Sequence, residues 1–228
     1  MFHDALVPFA ERRIIKMKKR AINILATGFL TCALTANMSL NTYARNYNCT
    51  YAQTYAEKYA LSPNIDCYYT FRSDCTNFAS QVAHAGGVPM RVNKDFQYNA
   101  LAADIDRDYN NNFWYSDRHN ATLTVLSHTW DGVDEFRKYM KDKRQADVYT
   151  YRQTNADWDK LMQKVWIGDV VQCGDEHSII IQDVVTKDRS GIKYAAHSIN
   201  AKNKSLSRFI TWCQEDRPND PIYVIHFK

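Results

Sequence analysis

The chain has 228 residues, 45% of them apolar, with only 7 Gly and 5 Pro. That composition excludes a disordered or collagen-like chain and suits one catalytic-size domain plus a leader. Its net charge of +4 resides in the leader: residues 1–44 hold six of the 29 basic and two of the 25 acidic side chains, leaving 23 of each beyond Ala44. A balanced chain with no basic stripe lacks the electrostatic footprint of a nucleic-acid binder.

Residues 1–44 read as a signal peptide. Arg12, Arg13, Lys16, Lys18, Lys19 and Arg20 form a basic cluster, Ala21 to Leu34 is mostly apolar, and Thr42-Tyr43-Ala44 is a small-x-Ala cleavage site. This is the order of regions in a secretory signal. The apolar run is short for a membrane span of ~20 residues. Met17 is an alternative start, and an uncleaved anchor or acylation at Cys32 are the competing readings. The expectation is export to the periplasm or medium after cleavage near Ala44, with membrane contact only through an uncleaved leader.

Residues 45–228 form the expected catalytic domain. Thr50 to Leu61 reads as a helix, with Tyr51, Tyr55 and Tyr59 every fourth residue beside Ala52, Ala56 and Ala60. Cys75 to Ala85 reads as a second helix. Ser73 or Asp74 stands at its N-cap, Phe78, Val82 and Ala85 form its buried stripe, and Gly86-Gly87 with Pro89 stops it. Asn93 to Ser127 reads as irregular. Asp131 to Lys141 is a third helix with Val133, Phe136 and Met140 inward. Asn155 is expected to cap a fourth, carrying Trp158, Leu161, Met162 and Val165. Beyond Gly168 the period changes to that of strands, at Val170-Val171, Ser178 to Val185, Lys193 to Ser198 and Ile222 to Phe227, with Thr186 to Gly191 as a hairpin turn. Helices first and a small antiparallel sheet last make an α+β pattern.

The chemistry centres on Cys75. A helix N-terminus offers unpaired N–H groups and the positive end of the dipole, which favour a thiolate and an oxyanion. Such a setting with a His partner lowers a Cys pKa from ~8.5 to about 3.5–7.5. His177 opens the strand Ser178-Ile179-Ile180-Ile181 and is the candidate base. The third group, which would orient the imidazole, is expected from the paired strand. His197 faces His177 if the hairpin turns near residue 187, and Asn200 does if it turns near 188.5. Taken singly, a Cys on an apolar helix is more often a buried thiol. Once Cys75 is set aside as nucleophile and Cys32 leaves with the leader, Cys49, Cys67, Cys173 and Cys213 allow three pairings. Cys49 with Cys67 is the first candidate, since they flank one helix. No His-Glu-x-x-His or Cys-x-x-Cys pattern calls for zinc, and no cofactor is expected.

The blocks Tyr51 to Leu61, Asp74-Cys75-Thr76-Asn77-Phe78-Ala79-Ser80-Gln81 and Ala85-Gly86-Gly87-Val88-Pro89-Met90 closely resemble the bacterial putative amidase domain family. Trp130 with Val133, Gly168-Asp169-Val170-Val171, His177, and Ala196-His197-Ser198 through Asn200, with Asn203 to Leu206, resemble its later segments. The family is similar to NlpC-like and CHAP cell-wall hydrolases with a papain-like core. The resemblance implies Cys75 as nucleophile and His177 as base, and it favours His197 as third member. Glu176 stands where the family often has Asp. The implied protein is a cysteine amidase or peptidase with N-terminal helices on a small sheet, acting on a peptide or on peptidoglycan. A catalytically inactive or toxin-like binding module on the same scaffold is the alternative, and an acyltransferase using the same thioester is a third reading.

Overall fold

The computed structural model describes residues 47–99, 104–118 and 123–228. The expected signal peptide and the cleavage site near Ala44 lie outside the described residues. Among those residues the fold is α+β: six helices and two sheets. The helices are α1 (Cys49–Tyr59), α2 (Cys75–Ala85), α3 (His128–Asp131), α4 (Val133–Arg144), α5 (Asn155–Lys164) and α6 (Leu206–Asp216). The strands are β1 (Ile105–Asp108), β2 (Ser116–Arg118), β3 (Thr124–Ser127), β4 (Asp147–Tyr151), β5 (Val170–Cys173), β6 (His177–Val184), β7 (Ile192–Ala196), β8 (Ala201–Ser205) and β9 (Ile222–His226).

The main sheet has the order β4-β9-β5-β6-β7-β8, with every neighbouring pair antiparallel. It is larger than the sheet expected from the sequence. The reason is visible in β8, whose residues Ala201-Lys202-Asn203-Lys204-Ser205 are polar and line an edge, so no apolar run marks them. Helix α6 also escaped the reading, although Leu206, Phe209, Ile210 and Cys213 recur at helical spacing and are all buried. The segment 93–127 is not wholly irregular. It carries the small sheet β1-β3-β2, in which β1 runs parallel to β3.

Both faces of the main sheet are covered. On one face α1, α2 and α4 pack Ala52, Ala56, Phe78, Ala79, Val82, Phe136 and Met140 against Val170, Ile180, Ala195 and Ile225. On the other, α5 and α6 pack Trp158, Leu161, Phe209, Ile210 and Cys213 against Val171, Cys173, Ile179, Ile181, Tyr194 and Val224. Successive strand residues point to opposite faces, so two buried faces require the unbroken apolar run Ile179-Ile180-Ile181.

Local signals set the helix ends. Asn48 caps α1 by accepting from the Tyr51 N–H. The inward stripe of α1 is Ala52, Ala56 and Ala60, while Tyr51 is exposed, because small side chains let this helix lie close to its neighbours. Thr154, not Asn155, caps α5, through an N–H bond from Asp157. The helix expected over 131–141 is α4, which starts at Val133 after the extended Gly132 and runs on to Arg144; the short α3 before it was not expected. A Cβ at Gly132 would sit 2.9 Å from the His128 carbonyl oxygen. Cys49 is a free, exposed thiol, so the pairing of Cys49 with Cys67 is not made.

Candidate active site

Cys75 is the first residue of α2 and only 4% exposed. The backbone N–H groups of Ser178 and Thr76 lie near its sulfur and favour its ionised form. It also contacts the Thr76 hydroxyl at 3.8 Å. That hydroxyl reaches Ser178 Oγ at 3.1 Å, and Ser178 Oγ accepts from Gln172 Nε2, also at 3.1 Å. Gln172 Oε1 accepts from Arg137 Nη1, so a buried polar chain runs from helix α4 through β5 and β6 to the neighbour of the thiol. The guanidinium of Arg137 stacks 3.7 Å above the Tyr223 ring and bonds Gly174 O and Asp175. It thereby ties down the turn that leads into His177.

The residues before and after Cys75 are held with unusual completeness. Asp74 stands at the N-cap, but its carboxylate does not cap its own helix. Oδ1 accepts from the Phe71 N–H at 2.9 Å and from Asn77 Nδ2 at 2.7 Å. Oδ2 lies 2.5 Å from His197 Nδ1. The Asp74 N–H donates to Ser198 Oγ at 2.8 Å. Asn77 also donates to Tyr69 O and accepts from the Trp130 indole N–H at 2.7 Å. Ser80 donates to Trp130 O and accepts from the Trp114 indole, and Gln81 accepts from the Tyr55 hydroxyl. Each polar letter in Asp74-Cys75-Thr76-Asn77-Phe78-Ala79-Ser80-Gln81 therefore has a partner, and each is buried. Buried polar groups must be so paired, or each costs ~1–3 kcal/mol. Trp130 is the second half of this lock, which connects its spacing from Val133 to the Cys75 block.

His197 is 1% exposed and stacks on Phe78, with ring centroids 3.9 Å apart. Its Nε2 is 2.8 Å from the Tyr59 carbonyl oxygen. A carbonyl only accepts, so Nε2 donates to Tyr59, and Nδ1 faces the Asp74 carboxylate. Both ring nitrogens are occupied, and His197 cannot orient His177. The hairpin register gives the reason. Ile180 pairs with Ala195 and Ile181 with Tyr194, and continuing that register sets His197 opposite Ser178, not His177. Neither expected third residue meets the imidazole: Asn200 is exposed in the turn between β7 and β8.

His177 opens β6 as expected, paired with Cys173 of β5. In the described conformation its ring faces α6, 5.5 Å from the Trp212 ring and 6.5 Å from that of Phe209. That is the face away from α2. Burial holds its pKa down to about 4. Burial also pushes the Cys75 thiol above its ordinary value, opposed in part by the Ser178 and Thr76 hydrogen bonds. The lowered thiol expected from the helix position is thus outweighed by loss of water. The pair rests as neutral thiol and neutral imidazole.

Gly168-Asp169 has a structural role. Gly168 adopts φ +91°, with the Tyr47 ring against it and the Tyr47 hydroxyl donating to its carbonyl. Asp169 is buried, accepts from the Trp166 N–H at 2.8 Å, and meets His226 Nδ1 at 2.8 Å. The sequence marked Asp169 only as part of a family block and gave His226 no role; their pairing is decided by the fold. Among the described residues no group of three or more His, Cys, Asp or Glu is placed to hold a metal.

Cys75 thus stands at the N-terminus of α2, against Ser178 near the start of the inner strand β6. The chain belongs to the family described as a putative amidase domain, which matches residues 43–223. The family designation indicates hydrolysis of amide bonds in general. No curated protein and no solved structure matches the chain.

Proposed function

We propose that the protein is an exported, cysteine-dependent amidase or peptidase with a papain-like (NlpC-like) core, whose substrate is an amide of peptidoglycan. One observation carries the reading: the Cys75 sulfur lies at the first turn of α2 against backbone N–H donors, and the Asp74 carboxylate is turned away from that turn. The first-turn N–H groups are thereby left for an anion.

In the proposed reaction the Cys75 sulfur attacks the substrate carbonyl carbon, and its proton passes to His177. The first-turn N–H groups of α2 hold the oxyanion. The protonated imidazole then gives its proton to the departing amine, leaving a thioester that water hydrolyses. His177 and Ser178 share the peptide unit whose N–H lies near the Cys75 sulfur. The His177 side chain leaves β6 on the face opposite that of Ser178, so bringing its ring to the thiol requires the backbone at the start of β6 to turn over when substrate binds. His197 acts as a positioning residue, holding Asp74 and so the start of α2. Export rests on the leader's basic and apolar regions.

The test is digestion of purified peptidoglycan by the mature protein, with fragments identified by mass, alongside Cys75→Ala. New amino termini or released stem peptides from the wild type alone are expected. Identical, uncut material from both proteins refutes the reading. One observation favours the alternative, a binding module without turnover: the thiol is buried and raised. Iodoacetamide at pH 6 separates the two, since an activated Cys75 is labelled promptly and an inert thiol is not.

A further inference from the structure

The polar chain behind Cys75 has a direction. Arg137 can only donate, and its Nη1 lies 3.1 Å from Gln172 Oε1. The Val133 carbonyl can only accept, and Gln172 Nε2 lies 3.0 Å from it. These two neighbours settle which way the Gln172 amide faces, and they leave its second N–H for Ser178 Oγ at 3.1 Å. Ser178 is therefore the acceptor at that contact. Its own hydrogen is buried with it and needs an acceptor in turn. Among the described residues the other partner of Ser178 Oγ is Thr76 Oγ1, at 3.1 Å. Thr76 is as deeply buried, and its hydroxyl, once it accepts from Ser178, turns its hydrogen toward the Cys75 sulfur at 3.8 Å. The reverse order, with Thr76 donating to Ser178, strands the Ser178 hydrogen without an acceptor.

We propose that Arg137, Gln172, Ser178 and Thr76 form a one-way relay of hydrogen-bond donors that ends on the Cys75 sulfur and favours its thiolate. Thr76 meets the sulfur, and Ser178, Gln172 and Arg137 are positioning residues that act through it. The inference rests on the reading of Cys75 as a nucleophile. A hydrogen bond to the charged form of an acid favours that form, and bonds in series polarise one another. Burial works against the thiolate, and so does the carboxylate of Asp74, the residue before it. That carboxylate is engaged by His197, Phe71 and Asn77. The relay opposes both effects from the sheet side. Its far end is rigid, because Arg137 is held by Asp134, Asp175 and the Tyr223 ring. The two carboxylates offset the charge of the guanidinium. What passes along the relay is thus the orientation of its donors, not a net charge.

The experiment is the pH dependence of Cys75 alkylation by iodoacetamide in the full chain, read by mass on the Cys75 peptide so that the exposed Cys49 does not contribute. Thr76→Val keeps the shape of the side chain and removes the hydroxyl. Its alkylation midpoint should move up by about one pH unit, so that the rate below the midpoint falls about tenfold. Thr76→Ser keeps the hydroxyl and should return the wild-type profile. Ser178→Ala, one step back along the relay, should move the midpoint in the same direction by less. The inference is overturned if Thr76→Val reacts with the wild-type midpoint, or if Thr76→Ser shifts as far as Thr76→Val. Should Thr76→Val fail to fold, Ser178→Ala decides, and an unmoved midpoint there overturns the inference. No substrate enters this measurement. A shifted midpoint in a protein that leaves peptidoglycan uncut supports the relay and refutes the amidase reading; an unmoved midpoint in a protein that cuts it does the reverse.

Discussion

The two faces of the main sheet are built on different principles, and adjacent residues of β6 show it. Ser178 points to the α2 face, where it joins Thr76, Gln172 and Arg137 in a chain of hydrogen bonds. His177, one residue earlier, points to the α6 face among Trp212, Phe209 and the two thiols of an apolar cluster. On the first face, polar side chains hold one another in fixed positions around Cys75. On the second, shape and the exclusion of water do the holding, and a titratable ring is kept neutral by it. A network of directional bonds fixes the atoms around Cys75 in both distance and angle, while packing fixes the His177 ring by shape alone.

The comparison can be broken most severely at Cys75, the proposed nucleophile. Cys75→Ala should reduce amide hydrolysis by at least ~10³-fold while leaving the fold intact, because the covalent route vanishes. Residual turnover near wild type, measured on peptidoglycan fragments, would place the chemistry elsewhere.

The next largest effect belongs to the polar face. His197→Ala removes one of the three groups that hold the buried Asp74 carboxylate and leaves its Oδ2 without a partner, at a cost of up to about 3–5 kcal/mol. Urea denaturation reads this directly. A loss under ~1 kcal/mol would show that Phe71 and Asn77 suffice to hold Asp74.

The apolar face sharpens the contrast through pH. His177 titrates at about 4 in the fold against 6.5 when free, so the unfolded chain binds more protons between these values. Stability should therefore fall as the pH drops from ~6.5 to ~4, by at most about 3 kcal/mol. His177→Gln should flatten that part of the profile, and an unchanged slope would mean the ring is not buried in solution. The His226–Asp169 pair works in the opposite direction on the imidazole. Asp169 raises the His226 pKa, so that group's contribution is complete at low pH and is lost as the pH rises through its folded value.

The smallest effect is expected at Trp130→Phe. It removes the indole donor to Asn77 and leaves a buried acceptor, at a cost of about 1–3 kcal/mol. Calorimetry on this variant tests whether Trp130 locks the Cys75 block through Asn77 or only fills space.

Much of this architecture was legible in the chain. Helix α2 has the expected ends because a strong stop, Gly86-Gly87, follows a regular apolar stripe. The stripe Trp158, Leu161, Met162 and Val165 is buried as its spacing requires. The face of His177 was not legible. Period-two alternation assigns faces only where one side is wet, and Ile179-Ile180-Ile181 is apolar on both. The bulge between Ile181 and Asp183 then shifts the register of the hairpin, which no turn composition reveals. The strand β8 was missed because an edge strand has no apolar demand, and the role of Arg137 because a buried guanidinium looks like any surface base until its partners are in place.

What the sequence by itself determined is the set of local commitments: the family, the helix that begins at Cys75, the hydrophobic stripes, and the α+β order of elements. These follow from backbone propensity and short-range spacing, which act over a few residues. Only the tertiary structure decided which groups meet. It gave His197 to Asp74, set His177 against Trp212, and brought Ser178 to Thr76. Those pairings depend on strand register and on which face each strand presents, and a shift of one residue would have exchanged them.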